Sequence, residues 1–296
     1  MNATLRAALW MTGAIASFSA MAVAGRELSA VHDTFEIMMF RSIFGFGIVA
    51  LVLSARNGWG GVNARAIGLH AIRNTVHFAG QNLWFFAVTA IPLAQVFALE
   101  FTQPLWVILF SPLLLGERLT RVRVVSALVG FAGILIVARP GATEIGPGVI
   151  AAATAAVFFA LTTITTKRLT GVASIGCIMF WLTLMQAGLG SIAAAADGII
   201  ALPTAQTAPW LLLVGLAGLL AHFCIANALA IAPATVVVPI DFVRLPTIAV
   251  IGMLVYGEAL DIWVLIGALV IFAGNYLNIW AETRPAPAID PARGGH

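Results

Sequence analysis

Long apolar segments follow one another along nearly the whole chain, and only short connections separate them. Ten such segments are each about 20 residues long, the length that a helix rising ~1.5 Å per residue needs to cross a hydrocarbon core of ~30 Å. They lie near residues 5–24, 34–54, 68–89, 93–115, 122–138, 147–167, 174–196, 209–231, 234–256 and 262–281. This pattern predicts an all-α, polytopic membrane protein with ten transmembrane helices and no domain outside the membrane.

The scarcity of charge excludes several classes of protein. Charged residues make up 9% of the 296 residues and hydrophobic residues 61%, whereas soluble globular proteins carry about 25% charged residues. A soluble enzyme and an extended disordered chain are therefore excluded, and a net charge of +3 is too small to indicate a nucleic-acid partner. The first segment also resembles a cleavable signal peptide, but its apolar run of about 18 residues favours a retained helix.

The distribution of Arg and Lys over the loops predicts the orientation in the membrane. If the N-terminus is cytoplasmic, ten of these residues fall on the cytoplasmic side and two, Arg26 and Arg139, fall outside. Cytoplasmic loops are normally the more basic ones, so we expect both termini in the cytoplasm. The cytoplasmic set comprises Arg6, Arg56, Arg65, Arg118, Arg121, Arg123, Lys167, Arg168, Arg284 and Arg293.

An internal repeat appears when the sequence is shifted by 141 residues. Residues 126–133 then match residues 267–274 at six of eight positions. Apolar helices share Ala, Leu, Val and Gly by chance, but the same ungapped shift also aligns polar, proline and basic positions. It pairs Arg26 with Lys167, Pro92 with Pro233, Glu100 with Asp241, and Gly116-Glu117 with Gly257-Glu258.

The repeat divides the chain into two halves of five helices. We expect the first half at 1–141, the second at 142–281, and a disordered cytoplasmic tail at 282–296. Because five is odd, the second half must be inverted relative to the first, as in many secondary transporters. Two such halves can form inward-open and outward-open states around one central site.

These features together resemble the drug/metabolite transporter superfamily, in its ten-helix form built of two EamA-type repeats. The resemblance rests on the tandem halves, on the Gly-Glu pairs that close the fourth helix of each half, and on the Gly-rich fifth helices. It covers residues 5–281, and within the family it is nearest to bacterial exporters of amino acids, including aromatic ones. It implies a bacterial inner-membrane carrier whose central cavity is lined by helices 1–4 and 6–9, with helices 5 and 10 bracing the outside.

Polar side chains in a bilayer need an explanation, because an ionisable group costs at least ~2.5 kcal/mol near the helix centre. Helix 3 carries six polar or aromatic side chains that are spaced mainly three or four residues apart, so they share one face of the helix. This stripe consists of His70, Arg73, Asn74, His77, Gln81 and Trp84. Two interpretations are open: a cavity wall, which we favour for the deeper residues, and hydrogen bonds that hold helices together. His222 aligns with Gln81 under the shift and predicts a matching wall on helix 8.

Helices 4 and 9 contain further candidates. Gln103 and Trp106 on helix 4, and Trp181 on helix 7, are candidate substrate-binding residues. Asp241 and Arg244 are three residues apart and can form either a structural ion pair or a clamp for a zwitterion. Pro104 and Pro246 lie near mid-span and can break their helices, although a static kink is equally compatible.

The other polar residues of the spans and the coupling of transport have more than one interpretation. Glu36 stands near the outer end of helix 2, where water can solvate it, and Arg41 has no partner that the sequence identifies. Glu100 and Asp241 are the candidates for proton coupling. Asp241 has a cation nearby, and this favours a facilitative carrier over a proton-coupled one.

Signatures of enzymes are absent from the sequence. It contains no HExxH, GxSxG or P-loop motif and no Cys/His metal cluster, so we predict no catalytic residue, metal or cofactor. The leading hypothesis is a monomeric carrier in the lipid bilayer that exports amino acids or similar small metabolites by alternating access. The alternatives are a proton-coupled drug or nucleotide-sugar carrier and a membrane-embedded enzyme with His77 or His222 as base.

Overall fold

The computed structural model describes residues 3–282, except for 117–119, 140–144, 197, 232–239 and 242. Within this part of the chain the regular structure is helical, with a short 3-10 helix at Gly58–Gly61. The α-helices are α1 Ala3–Leu28, α2 Thr34–Ala55, α3 Ile67–Ala90, α4 Leu93–Glu100, α5 Gln103–Leu115, α6 Arg121–Ala138, α7 Pro147–Thr170, α8 Ile175–Ala194, α9 Ala208–Ile231, α10 Arg244–Tyr256 and α11 Ile262–Glu282.

Seven helical segments of the described chain are long and apolar enough to cross a membrane. They are Leu5–Leu28, Thr34–Ala55, Leu93–Phe110, Arg121–Ala138, Pro147–Leu169, Ile175–Ala194 and Ala208–Ile225. α3 has sufficient length at 24 residues, but its polar stripe lowers its mean hydropathy. Arg244–Tyr256 and Ile262–Asn278 are shorter apolar helices. The predicted all-α, polytopic membrane fold is confirmed.

Local sequence signals explain where several helices begin and end. Asp33 caps α2: its side chain accepts a hydrogen bond from the Glu36 amide at 2.8 Å, and the Glu36 carboxylate in turn accepts one from the Asp33 amide at 3.3 Å. The Ser174 hydroxyl caps α8 by accepting a hydrogen bond from the Cys177 amide at 3.2 Å. Gly257 ends α10 with a φ of 66°, a left-handed conformation that glycine adopts without steric cost.

The fourth span of the first half is interrupted, and a helix of the second half begins at the position equivalent to the point where the span resumes. α4 ends at Glu100 and α5 begins at Gln103, whereas in the second half α10 begins at Arg244, 141 residues after Gln103. Pro104 and Pro246, which we expected at helix breaks, lie in the first turns of α5 and α10. A proline is tolerated there, because the first amides of a helix have no partner within it.

Equivalent helices of the two halves begin at equivalent positions of the repeat. The 141-residue shift carries the starts of α2, α3 and α6 onto the starts of α8, α9 and α11. In the packing, α1 lies against α9 and α3 against α7, and the shift exchanges these two pairs. The pairs α2–α8 and α6–α11 each join two equivalent helices. This is the packing expected for two related halves around a pseudo-twofold axis.

Glycines allow the fifth helices of the two halves to approach closely. A Cβ added at Gly133 of α6 would lie 2.8 Å from the Gly267 carbonyl oxygen of α11, and one added at Gly267 would lie 2.8 Å from the Gly133 carbonyl oxygen. Small residues are favoured at such contacts between membrane helices, where backbones pack against one another. The α6–α11 pair thus braces the bundle beside the cavity.

Candidate substrate cavity

A cavity of about 350 Å³ lies between the two halves and is lined by helices of both. α1, α3, α4 and α5 of the first half meet α7 and α9 of the second half around it. The wall consists of Phe18, Met21, Arg73, His77, Gln81, Trp84, Glu100, Gln103, Phe159, Thr162, Thr163, Thr166, His222 and Ile225. These helices belong to the set that the family resemblance implied for the cavity.

The polar stripe of α3 contributes four residues to this wall. Arg73, His77, Gln81 and Trp84 follow one another at intervals of four, four and three residues and face the same space. His77 also lines a second, smaller cavity of about 30 Å³, as does His222 from α9. The two histidines therefore stand at the boundary between both cavities.

Another member of the stripe holds helices together. Asn74 donates a hydrogen bond to the Trp181 carbonyl oxygen at 3.1 Å, and its own carbonyl oxygen accepts one from Gln186 at 2.8 Å. Both residues lie on α8, in the other half. Both interpretations of the stripe thus apply: His77, Gln81 and Trp84 line the wall, while Asn74, Gln81 and Trp84 form hydrogen bonds between helices.

Two of the proposed tryptophans lie away from the cavity. Trp106 packs edge-on against Phe131 of α6, with ring centroids 4.9 Å apart. Gln103 points to α7 and donates to Thr163 at 2.7 Å. Trp181 donates to the Asn63 carbonyl oxygen at 2.8 Å, beside the loop between α2 and α3.

A buried group of two carboxylates and one guanidinium joins the two halves. Arg244 donates to Glu100 at 3.1 Å and to Asp241 at 3.2 Å. Glu100 also accepts a hydrogen bond from the Trp84 indole at 2.7 Å. The pair of Asp241 and Arg244 was expected from their spacing. The third member was not expected, because Glu100 has no cation in its own helix.

Aromatic rings surround the Arg244 side chain, which is 5% exposed. Its guanidinium lies 4.6 Å from the ring centre of Phe18, 5.1 Å from that of Phe97 and 5.0 Å from that of Phe101. Such placement stabilises a cation in a low-dielectric environment. Glu100 is the member of the ionic group that lines the cavity, whereas Asp241 and Arg244 stand behind it.

Neutral partners hold the two arginines nearest the histidines. Arg41, whose partner the sequence did not identify, donates to the Gln81 side chain at 2.5 Å. Arg73 donates to Asn74 at 2.8 Å and to Thr166 at 3.2 Å. Among the described residues, neither arginine is within ion-pair distance of a carboxylate.

Glu36 differs from the sequence-based expectation that water solvates it. The residue is 5% exposed, and its carboxylate accepts hydrogen bonds from the Ala201 amide at 2.5 Å and contacts His32 at 3.1 Å. The loop between α8 and α9 covers it. Its position near a helix end did not reveal this, because the covering loop is 165 residues away in sequence.

Ion pairs join the halves at one end of the bundle. Arg26, at the end of α1, pairs with Glu258 in the loop between α10 and α11, and donates to the carbonyl oxygens of Val88 at 2.7 Å and Ile91 at 2.8 Å. Arg139 pairs with Asp261 of the same loop. The two arginines that the sequence placed outside therefore lie at the same end of the bundle. Glu117, the repeat equivalent of Glu258, lies outside the described residues.

Comparisons with known proteins agree with this architecture. The model of the EamA-like transporter family matches residues 5–139 and again residues 146–280. A riboflavin transporter of Rhizobium johnstonii is 28% identical over 279 residues, which cover 94% of this chain and 92% of that protein. A riboflavin transporter of Brucella anthropi is 32% identical over 239 residues, covering 78% of this chain and 84% of that protein.

A further relative and a solved structure extend these comparisons. An S-adenosylmethionine uptake transporter of Rickettsia bellii is 26% identical over 275 residues, covering 93% of this chain and 94% of that protein. A solved structure titled "Crystal structure of protein" has a TM-score of 0.63 at 20% identity, covers 93% of this chain and 96% of its own, and bears on the fold alone. The chain belongs to the EamA-like transporter family, within the drug/metabolite transporter superfamily, and is a membrane transporter.

Proposed function

We propose that this protein is a secondary transporter that carries a small metabolite with a flat ring system across the bacterial inner membrane by alternating access. The observation that carries the proposal is the cavity of about 350 Å³ whose wall comes from both halves. A site shared by two related halves can be reached from opposite sides of the membrane when the halves rock against each other.

The chemistry of the wall favours a flat, polar substrate. Phe18, Trp84 and Phe159 offer ring faces or edges, on which a planar group can stack. His77 and Gln103 offer groups that can donate or accept hydrogen bonds. The volume is at the lower end of the range of cavities that hold drug-sized ligands, about 300–1,000 Å³. Riboflavin and S-adenosylmethionine, for which the relatives are named, both contain flat heteroaromatic rings.

Aromatic amino acids are the second candidate class of substrate. The ionic group of Glu100, Asp241 and Arg244 contains two acids and one base, so it has an excess of negative charge. Glu100 lines the cavity and can meet the ammonium group of an amino acid. The candidate binding residues for either class are His77, Gln81, Trp84, Gln103 and His222.

The described conformation is proposed to face the cytoplasm. Ion pairs from Arg26 and Arg139 join the halves at the end that the charge distribution places outside. The cavity wall extends in the other direction as far as Thr166, next to Lys167 at the end of α7. In the outward-facing state, the halves at 1–141 and 142–281 would rotate so that this end closes.

Counterflow in proteoliposomes tests the proposal. Vesicles with purified protein are loaded with unlabelled riboflavin, tryptophan or S-adenosylmethionine, and entry of the same labelled compound is measured. We expect counterflow of at least one ring-bearing compound. Mass spectrometry should find this compound chemically unchanged, whereas an enzyme would convert it. Chemical conversion of the compound, or counterflow of none of the three, would contradict the proposal.

Two neighbouring residues of α3 provide a matched pair of variants. Gln81 lines the cavity, whereas Asn82 donates a hydrogen bond to the Phe78 carbonyl oxygen of its own helix at 2.8 Å and is not part of the wall. Gln81→Ala should weaken transport about tenfold, if one buried hydrogen bond to substrate is lost. Asn82→Ala should transport as well as the natural protein. Equal transport by both variants would exclude Gln81 from the site.

A further inference from the structure

Two arginines lie on the walls of the adjoining cavities, and within the described part of the chain neither has a carboxylate at ion-pair distance. Arg73 of α3 lines the larger cavity and Arg41 of α2 the smaller one, and His77 and His222 line both. The two histidines therefore link the cavity that Arg41 lines to the cavity that Arg73 lines. Arg73 is 5% exposed, and His77 is 4% exposed. Both side chains are buried, and Arg73 stands about two turns from the start of α3.

The other buried arginine of the described chain, Arg244, is neutralised by carboxylates. Arg41 and Arg73 are instead held by the amide oxygens of Gln81 and Asn74 and by the Thr166 hydroxyl. These neutral groups orient the guanidinium groups but do not compensate their charge. An uncompensated charge in the membrane interior is costly and is usually retained for a function.

Several donors at this place are unused within the described residues. Each guanidinium has N–H groups beyond those that Gln81, Asn74 and Thr166 accept. The Nδ1 atom of His77 is buried and has no hydrogen-bond partner. This nitrogen can therefore take part in one more hydrogen bond, as donor or acceptor according to the tautomer of the ring. Arg41, Arg73 and His77 thus offer further polar groups at a place where, among the described residues, no carboxylate lies within ion-pair distance of either guanidinium.

Glycines on the opposite helix make room for this arrangement. Gly218 of α9 faces Arg41 so closely that an added Cβ would lie 2.8 Å from the Nη2 atom. Gly215, one turn earlier, would place a Cβ 3.3 Å from the Arg41 carbonyl oxygen. Both glycines line the smaller cavity. The Arg41 guanidinium therefore occupies space that any larger residue at 218 would take.

We propose that Arg41, Arg73 and His77 form an anion subsite, so that the transported substrate carries a carboxylate or a phosphate group. The inference rests on the proposed transport function and specifies its substrate class. The planar guanidinium groups match the geometry of either oxyanion. The rest of the substrate extends along α3 to Trp84 and Glu100, so the ring stacks there while the anionic group is held by the arginines.

The subsite also predicts discrimination between closely similar molecules. Flavin mononucleotide differs from riboflavin by one phosphate, and tryptophan differs from tryptophanamide by a carboxylate in place of an amide. The two members of each pair have the same ring system, so both should stack on the cavity wall equally well. The anionic member should bind more tightly in both pairs, whereas preference in a single pair identifies which oxyanion the site accepts.

Binding is measured on purified protein in detergent, by the rise in unfolding temperature with ligand concentration. We expect the member with the oxyanion group to bind about tenfold more tightly than the member without it, the ratio that one charge-assisted hydrogen bond supplies. Arg41→Gln and Arg73→Gln should each remove this difference. Arg168→Gln is the control, because it removes the same charge at the exposed end of α7 and should retain the preference. Equal binding of both members of each pair to the natural protein would overturn the proposal.

A second variant tests the subsite without removing a charge. Gly218→Ala should displace the Arg41 guanidinium and reduce the preference for the anion, while Gly188→Ala, where an added Cβ meets open space, should leave it unchanged. An unchanged preference in Gly218→Ala and in both arginine variants would exclude these residues from anion binding.

Counterflow of the same compounds separates this inference from the transport function. If anions bind but none is counter-transported, the anion subsite stands and the transport proposal fails. If neutral compounds are counter-transported and anions are neither bound nor carried, the transport proposal stands and the subsite is refuted.

Discussion

Arg244 of the second half donates a hydrogen bond to Glu100 of the first half, with 3.1 Å between Nη2 and Oε1. Glu100 ends α4 at the interruption of the fourth span, and Arg244 begins α10 at the position equivalent to Gln103, where α5 begins. Broken helices in transporters commonly line the central site, because the freed backbone groups need polar neighbours. The ion pair therefore joins the halves close to the cavity wall.

Removal of the shared cation should destabilise the fold. Arg244→Met leaves Glu100 and Asp241 close together in the interior without a cation, a change that costs about 3–5 kcal/mol for buried ion pairs. We expect a clearly lower unfolding temperature in detergent. Arg168→Met, at an exposed helix end, should change stability by no more than about 0.5 kcal/mol. Equal unfolding temperatures for the two variants would exclude a stabilising role for the ionic group.

Transport should not depend on a proton gradient. Glu100 and Asp241 share Arg244 as a partner, and this cation lowers the cost of both carboxylates in the membrane without uptake of a proton. We expect substrate uptake into proteoliposomes to reach the same level with and without an imposed pH gradient. Accumulation that is driven by the gradient, and that Glu100→Gln abolishes, would instead identify Glu100 as a coupling residue.

Loss of the Arg26–Glu258 pair should favour opening at its end of the bundle. In a background without the two free cysteines, Cys177 and Cys224, Thr163→Cys reports access to the cavity. Glu258→Gln should increase its labelling by an impermeant thiol reagent from the periplasm several-fold. The sequence repeat pairs Arg26 with Lys167 and Glu258 with Glu117, so Glu117→Gln should have the opposite effect. The idea fails if both variants change labelling in the same direction.

The predicted topology can be tested at the loop between α2 and α3. Gly60 is exposed in the short helix Gly58–Gly61, and the excess of Arg and Lys predicts that this loop is cytoplasmic. A single cysteine at position 60 should react with an impermeant reagent only after the cells are permeabilised. Reaction in intact cells would show that the orientation is the reverse.

Close packing of α6 and α11 makes Gly133 sensitive to substitution. A Cβ there would lie 2.6 Å from the Ile271 side chain and 2.8 Å from the Gly267 carbonyl oxygen, and the backbone cannot yield cheaply. Gly133→Ala should lower stability by about 1–3 kcal/mol, as overpacking does. Gly188→Ala, where an added Cβ meets open space, should be neutral or slightly stabilising. A stable Gly133→Ala variant would mean that the two helices can separate freely.

The sequence alone determined the class of fold and much of the cavity wall. A bilayer admits few solutions for the backbone, so apolar segments of about 20 residues predict membrane helices directly. Helical periodicity placed His77, Gln81 and Trp84 on one face, and the shift of 141 residues brought His222 opposite them. The same local rules identified the pair of Asp241 and Arg244, because three residues of helix place two side chains side by side.

Only the tertiary structure decided which side chains meet across helices. Glu100 and Arg244 are 144 residues apart, and Arg41 and Gln81 are 40 residues apart. Trp106 and Trp181 had the right residue type and depth for the cavity, but they pack against Phe131 and beside Asn63. Such contacts depend on how each helix is rotated and how far it is displaced along its axis relative to its neighbours. Periodicity determines which side chains share a face of a helix, whereas the packing of the whole bundle determines which residues of other helices that face contacts.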